Sequence, residues 1–285
     1  MNRRDETLDR RLRERLRLWQ VTPERAIETK GSIVVLGRRG DQPVAVKIMP
    51  NGHDEWFSGQ VLNAFDGNGV VRLLDRADGA LLIEQLRPGH SLASVGVNLG
   101  DEAATRILSD VILKMRPGPV PDGTPSVDSW GASFARYVSR ASDLIAPALI
   151  EEAHQRYAEL CGSQTSTRLL HGDLHHHNVL LDSERGWLAI DPKGVDGELA
   201  YEVGAALRNP AEHPELFTQP ATIKSRVDCF AKALSLDPVR VLGWAFAQSV
   251  LAALWELEDD GVLNAGIGWI ALANAIRPML NSIDT

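Results

Sequence analysis

The chain has 285 residues and a mass of 31.2 kDa, with 44% hydrophobic and 24% charged residues. That is the balance of a folded globular protein with one large domain or two modest ones. A net charge of −8 and a pI near 5.5 argue against general nucleic-acid binding, and no apolar run approaches the roughly 18 to 20 residues that cross a bilayer. Met1 to Glu6 runs straight into charge, and Cys161 and Cys229 are too few for a disulfide framework, so the expectation is a cytoplasmic protein with reduced thiols.

Residues 3–19 put Leu8, Leu12, Leu16 and Trp19 on one helical stripe. The arginines around it are diluted by Asp5, Glu6, Asp9 and Glu14, which favours packing on the chain's own domain over a membrane surface. From Arg25 to Glu84 the signals are those of strands: Ser32 to Leu36, a turn at Gly37 to Asp41, and Pro43 to Met49. A helix is expected over His53 to Phe65, then a hairpin of Val70 to Leu74 with Ala80 to Ile83. These elements suggest a small antiparallel sheet with one helix against it.

Composition shifts at Glu84 to Gly89, where Pro88 and Gly89 stop the strand, so a boundary is expected after residue 86: a first lobe of 1–86 and a second of 87–285. The remainder reads as mainly helical. Helices are expected over Asp101 to Met115, Val127 to Leu144, Ala148 to Leu160, Ala221 to Leu234, Pro238 to Leu257 and Ile267 to Leu280. The Pro-rich loop from Pro117 to Pro125 reads either as a spacer or as part of a substrate rim.

Between these helices, the run from Arg168 to Lys193 breaks the pattern. Val179 to Leu181 and Trp187 to Ile190 read as a hairpin around Asp182 to Gly186. Asp173 precedes the first strand, Asn178 stands at its start, and Asp191 follows the second. Each alone is an ordinary turn former. Together they supply what phosphoryl transfer needs: a carboxylate to orient a hydroxyl, and an amide and a second carboxylate as oxygen ligands for Mg²⁺. Lys47, within Val44 to Ile48, is costly to bury without a charged partner, and in a kinase such a lysine holds the α and β phosphates of ATP. Glu55 is the expected partner on the next helix, with Asp54 in reserve. His171 and His175 to His177 lack a second ligand set for a closed zinc site and are expected to brace the loop.

His171-Gly172-Asp173-x₄-Asn178 followed by Ile190-Asp191-Pro192-Lys193-Gly194 resembles the aminoglycoside phosphotransferase family, and the continuation Gly197-Glu198-x₂-Tyr201-Glu202 is most similar to its streptomycin 6-phosphotransferase and hydroxyurea-resistance branch. The resemblance implies an α+β, protein-kinase-like two-lobed fold using ATP and Mg²⁺. Asp173 would be the catalytic base, Asn178 and Asp191 the metal ligands, and Lys47 the phosphate ligand, with adenine against the backbone of Glu84 to Leu86. The substrate implied is a small, cationic hydroxyl compound, the protein a monomer or weak dimer. Two departures stand out. The turn at Lys30-Gly31-Ser32 has one glycine, leaving backbone amides and Ser32 to meet a phosphate. Glu198 and Glu202 stand where related sequences often carry aspartate; Glu198 is expected on the substrate side and Glu202 as a helix cap or brace. The acidic run Glu256, Glu258, Asp259 and Asp260 could attract a polycation or simply form a solvated helix end. No segment ending in Ala-Pro-Glu follows Asp191, which argues against a protein kinase. The rival readings are a kinase of another small alcohol and a nucleotide-binding pseudokinase.

Overall fold

The computed structural model describes residues 3–29, 31–50, 54–138 and 144–281. Helix α1 (Arg3–Leu18) leads into strands β1 (Val21–Glu28), β2 (Ile33–Arg39) and β3 (Gln42–Ile48). A 3₁₀ turn (Asp54–Phe57) precedes α2 (Ser58–Phe65), and β4 (Leu73–Ala77) and β5 (Ala80–Glu84) complete an antiparallel sheet in the order β1-β2-β3-β5-β4.

Strand alternation decides what this sheet does. Val44, Val46 and Ile48 of β3 and Leu82 of β5 face a core closed by Leu8, Leu12 and Leu16 of α1, so that helix is packed on its own sheet. Ala45, Leu81 and Ile83 join a second core, continuous with α2 and with the helical part of the chain. Lys47, between Val46 and Ile48, falls on that second face. The β2–β3 turn is tighter than expected, because Gly37 to Arg39 continue the strand. Gly37 passes so close to the Thr22 carbonyl oxygen that no Cβ would fit there, which accounts for the glycine without a turn. Val70 stands outside β4: it bridges Ala189, and Val71 N–H donates to the Ala189 carbonyl at 2.9 Å.

Strand β6 (Pro88–Ser91) follows, then α3 (Leu92–Leu99), α4 (Asp101–Lys114), α5 (Val127–Trp130), α6 (Ala132–Val138) and α7 (Pro147–Gly162). The helix expected over Val127 to Leu144 is interrupted at Gly131, which lies against the Tyr157 ring; residues 139–143 lie outside the described residues, as does His53 of the helix expected over His53 to Phe65. Strands β7 (Arg168–Leu170), β8 (Val179–Asp182), β9 (Gly186–Ala189) and β10 (Val195–Gly197) then form two small sheets, β6-β8-β9 and β10-β7. Helices α8 (Leu199–Leu207), α9 (Pro214–Phe217), α10 (Pro220–Leu234), α11 (Pro238–Asp260) and α12 (Ala265–Asn281) close the larger part, with α11 buried along most of its length. The architecture is thus mixed α and β, an antiparallel-sheet part followed by a larger, mainly helical part. Among the described residues no helix is long and apolar enough to cross a membrane.

The segment joining the sheet to the hairpin is tied at several points. Arg87 N–H donates to Asp182 Oδ2 at 3.1 Å, Ser183 N–H donates to the Arg87 carbonyl at 2.6 Å, and Glu84 forms an ion pair with Arg185. Gln85 N–H donates to the Pro43 carbonyl at 3.3 Å, and Leu86 is buried.

Candidate active site

The loop from β7 to β8 is built around His171, which is fully buried. Asp173 N–H donates to its Nδ1 at 3.3 Å, so the ring proton is on Nε2 and is donated to the Ile190 carbonyl at 2.8 Å. Burial lowers the His171 pKa, outweighing that hydrogen bond and the nearby carboxylates, so the ring is neutral. Its own carbonyl accepts from Lys193 N–H and Gly194 N–H at 3.0 Å each. One imidazole and one peptide group thus join the loop carrying Asp173 to the turn carrying Asp191.

Behind the loop, Glu202 of α8 accepts from His171 N–H at 2.6 Å and Gly172 N–H at 3.2 Å. Glu202 therefore braces the loop rather than its helix. Burial pushes its pKa up to about 7, against the pull of those two amides and of Arg168. Gly172 and Gly194 both hold positive φ, at 82° and 81°, and a Cβ on Gly194 would collide with Val61 of α2.

The Asp173 carboxylate faces Lys193 Nζ at 3.6 Å from Oδ2, Arg208 at 3.6 Å from Oδ1, and His175 Nε2 at 3.9 Å. Burial alone would raise its pKa, but Lys193, His175 and Arg208 together hold it below the usual carboxylate range. Asn178 donates Nδ2 to the Asp173 carbonyl at 2.9 Å, which leaves its amide oxygen as the end available to a cation. Lys47 Nζ lies 3.0 Å from Asp191 Oδ1, so the structure gives Lys47 this partner; the Glu55 side chain lies outside the described residues. Ser32 is buried, and its N–H donates to Thr29 Oγ1 at 2.9 Å; Lys30 lies outside the described residues.

Asp173, Lys193 and Arg208 open on a cavity of about 620 Å³. Its other walls include Trp130, Trp255 and Trp269, the loop from Pro121 to Pro125, and Glu256, Asp259 and Asp260. The Pro-rich loop is therefore a rim rather than a spacer. Of the acidic run, Glu256 accepts from the backbone of Asn264, Ala265 and Gly266, and Glu258 bonds Ser133 and Arg136. Glu198 does not line this cavity. It is buried between Arg240, whose Nε is 2.6 Å from Oε1, and the Trp244 indole, which corrects the expectation of a substrate-side residue. Among the described residues no group of three or more His, Cys, Asp and Glu could hold a metal. His177 pairs with Glu212 at 2.8 Å, and His175 Nδ1 accepts from His177 N–H at 3.2 Å.

Residues 18–261 match the family model for aminoglycoside/hydroxyurea antibiotic resistance kinases. The chain belongs to this family. Within it, streptomycin 3''-kinase of Klebsiella pneumoniae is 32% identical over 241 residues, covering 82% of this chain and 87% of the relative. Streptomycin 6-kinase of Streptomyces glaucescens is 30% identical over 275 residues, covering 93% and 87%. A crystal structure of a choline/ethanolamine kinase family protein from Mesorhizobium loti shares the fold, with a TM-score of 0.67 at 14% identity over 96% of this chain and 97% of that one. The chain is thus a phosphotransferase with an alcohol group as acceptor.

Two cations of this kinase carried no role in the sequence reading. Lys193 was visible within the motif, two residues before β10 begins. Arg208 had no local signal at all. It lies at the end of α8, 35 residues beyond Asp173, and is positioned by Gln248 Oε1 at 3.3 Å and by the Trp269 ring at 5.9 Å.

Proposed function

We propose that this kinase moves the γ-phosphoryl group of ATP to a hydroxyl of a streptomycin-class aminoglycoside. The observation that carries this reading is one cavity holding Asp173 on one wall and Asp259 and Asp260 on another, so an acceptor hydroxyl and the positive charges of the same molecule find partners together. Asp173, held ionised by Lys193 and Arg208, orients the acceptor hydroxyl and receives its proton. In a loose transition state this positioning matters more than the strength of the base.

The nucleotide belongs on the sheet side, residues 1–86 forming the nucleotide lobe and 87–285 the acceptor lobe. Lys47 faces the α and β phosphates, the Ser32 turn covers them, and the backbone of Glu84 to Leu86 meets the adenine. Glu55 is the partner for Lys47 when nucleotide draws it from Asp191, with Asp54 in reserve. Asn178 and Asp191 would hold Mg²⁺, since each offers a hard oxygen beside the loop. Bound there, Mg²⁺ would neutralise charge between the phosphates.

The test is a panel of aminoglycosides and metabolite alcohols with ATP and Mg²⁺, read as phosphorylated product by mass spectrometry. Streptomycin turnover supports the reading. Turnover only with another alcohol moves the acceptor class, and nucleotide binding without turnover on any acceptor removes the enzyme.

A further inference from the structure

Three indoles line the cavity, and the fold engages two of them. Trp255 donates Nε1–H to Ser133 Oγ at 2.9 Å, and Trp269 donates to the Arg208 carbonyl at 3.0 Å while the Arg208 guanidinium lies over its ring at 5.9 Å. Trp130 differs. Among the described residues its indole meets neither a hydrogen-bond acceptor nor a cation, although an indole N–H inside a fold usually finds a partner. Its ring contacts are Tyr201 at 6.1 Å and Trp255 at 5.6 Å, the latter at an interplanar angle of 89°.

Where this indole stands decides its use. On one side it touches the loop that carries Asp173: a Cβ on Gly172 would lie 2.9 Å from Trp130 Cη2, so the glycine lets the loop pass against the ring edge. On the other side is Trp255, and Asp259 follows it by four residues on α11, so the two share one helix face about one turn apart. The indole thus spans the wall between the carboxylate proposed to orient a hydroxyl and the acidic end of α11. Its short helix is fixed as well. Ser126 accepts from Ser129 N–H at 3.1 Å to start α5, and the Tyr157 hydroxyl donates to the Val127 carbonyl at 2.6 Å. A surface ordered before the ligand arrives loses little freedom on binding.

We propose that Trp130 is a specificity-determining residue, the platform on which a saturated ring of the acceptor lies while one hydroxyl of that ring meets Asp173. This rests on the aminoglycoside reading above. The C–H face of such a ring is apolar and packs on the indole, while the hydroxyls around its edge stay free. Cationic substituents of the ring reach past Trp255 toward Asp259, and those that stay over the indole are attracted to its face. An open-chain alcohol offers no face to Trp130. The same contact sets which edge of the ring is turned to Asp173.

The experiment titrates streptomycin, without nucleotide, into the wild-type protein and into Trp130→Leu and Trp130→Phe by calorimetry. Leucine keeps apolar bulk beside Gly172 and removes the aromatic face, whereas phenylalanine keeps a face. Trp130→Leu is expected to weaken streptomycin binding by about 10-fold, and Trp130→Phe by less than about threefold. Affinity for ADP, whose proposed site is on the sheet side, stays within about twofold in both variants and, with a thermal melt, shows that each is folded. In turnover the loss appears in the streptomycin KM rather than in kcat. Wild-type streptomycin affinity in Trp130→Leu, or equal losses in the two variants, overturns the platform. A wild-type protein that binds streptomycin but phosphorylates no aminoglycoside overturns the function proposed above, and the same titration still decides for or against Trp130. A wild-type protein that does not bind streptomycin overturns both.

Discussion

Lys47 Nζ lies 3.0 Å from Asp191 Oδ1, so a strand of the five-stranded sheet and the turn after β9 meet in one ion pair. The lysine is almost fully buried and the aspartate a third exposed, with Asp191 itself in a left-handed conformation at φ 56°. The pair presents one charge of each sign where nucleotide phosphates and a divalent cation are proposed to bind. Lys47→Met is expected to weaken ADP binding by about 10- to 100-fold, the value of a lost charge-assisted contact. Because Asp191 keeps water, folding loses less than the roughly 3–5 kcal/mol of a fully buried pair broken on one side. Calorimetric titration with ADP and a thermal melt check both, and unchanged ADP affinity takes Lys47 out of the nucleotide site.

Asp173→Asn is expected to lower kcat by about 100- to 10,000-fold while ADP binding is retained. The backbone bonds that shape the loop, from Asp173 N–H to His171 and from Asn178 to the Asp173 carbonyl, survive the change. The cost falls on Arg208, which is left facing an amide oxygen instead of a carboxylate, about 1–3 kcal/mol. Steady-state kinetics beside a denaturant titration separates the two effects. Turnover at the wild-type rate would remove Asp173 from the reaction.

Glu198 offers a contrasting case, because its partners are structural. Arg240 and the Trp244 indole occupy its carboxylate, and its N–H donates inward to Gln164 at 2.9 Å. Glu198→Ala is expected to cost about 2–4 kcal/mol, toward the lower end of a broken buried pair because Arg240 is partly exposed. That is a fall of roughly 5–15 °C in Tm for a chain of this size. The acceptor KM of the folded fraction should not move. A KM change with no loss of Tm would return Glu198 to the substrate side.

What the sequence disclosed follows from how local each signal is. The hairpin of β8 and β9 and helices α4, α7, α10, α11 and α12 stand close to their expected positions, since each shows its pattern within its own span. Helix α8 was missed because Ala200 to Leu207 is buried on every side, which erases the 3.6-residue alternation. Helix α3 carries Gly96 and two valines, weak helix formers whose start is set by Ser91 accepting from Ser94 N–H at 3.2 Å. Of the candidate site, the sequence offered Asp173, Asn178 and Asp191 together because they sit within 19 residues of one another in an informative spacing. It did not offer Arg208 or the true partners of Glu198, because they come from helices that only the fold brings to those carboxylates.

The pH dependence of stability follows from groups of opposite sign around the loop from β7 to β8. Glu202, raised from 4.5 to about 7 by burial, keeps its proton in the folded state after the unfolded state has released it. Its contribution is therefore fully present below about 4.5 and is lost as pH rises to about 7. His175, lowered by burial from 6.5 to about 4, runs the other way: below 6.5 the unfolded chain takes up a proton that the folded one refuses, so stability falls on acidification. His171 and His176 are lowered by burial as well and add to that fall. Glu202→Gln removes the one group in this set that opposes it, so Tm should drop more steeply between pH 7 and pH 5 than in the wild-type protein. The same change turns an amide NH₂ toward either His171 N–H or Gly172 N–H, leaving one donor without an acceptor. The variant should therefore lose a further 1–3 kcal/mol or so even at pH 8, where protonation of Glu202 is nearly complete in neither form. Thermal melts from pH 5 to pH 8 decide the matter, and parallel curves for the two proteins would mean that Glu202 does not titrate in this range.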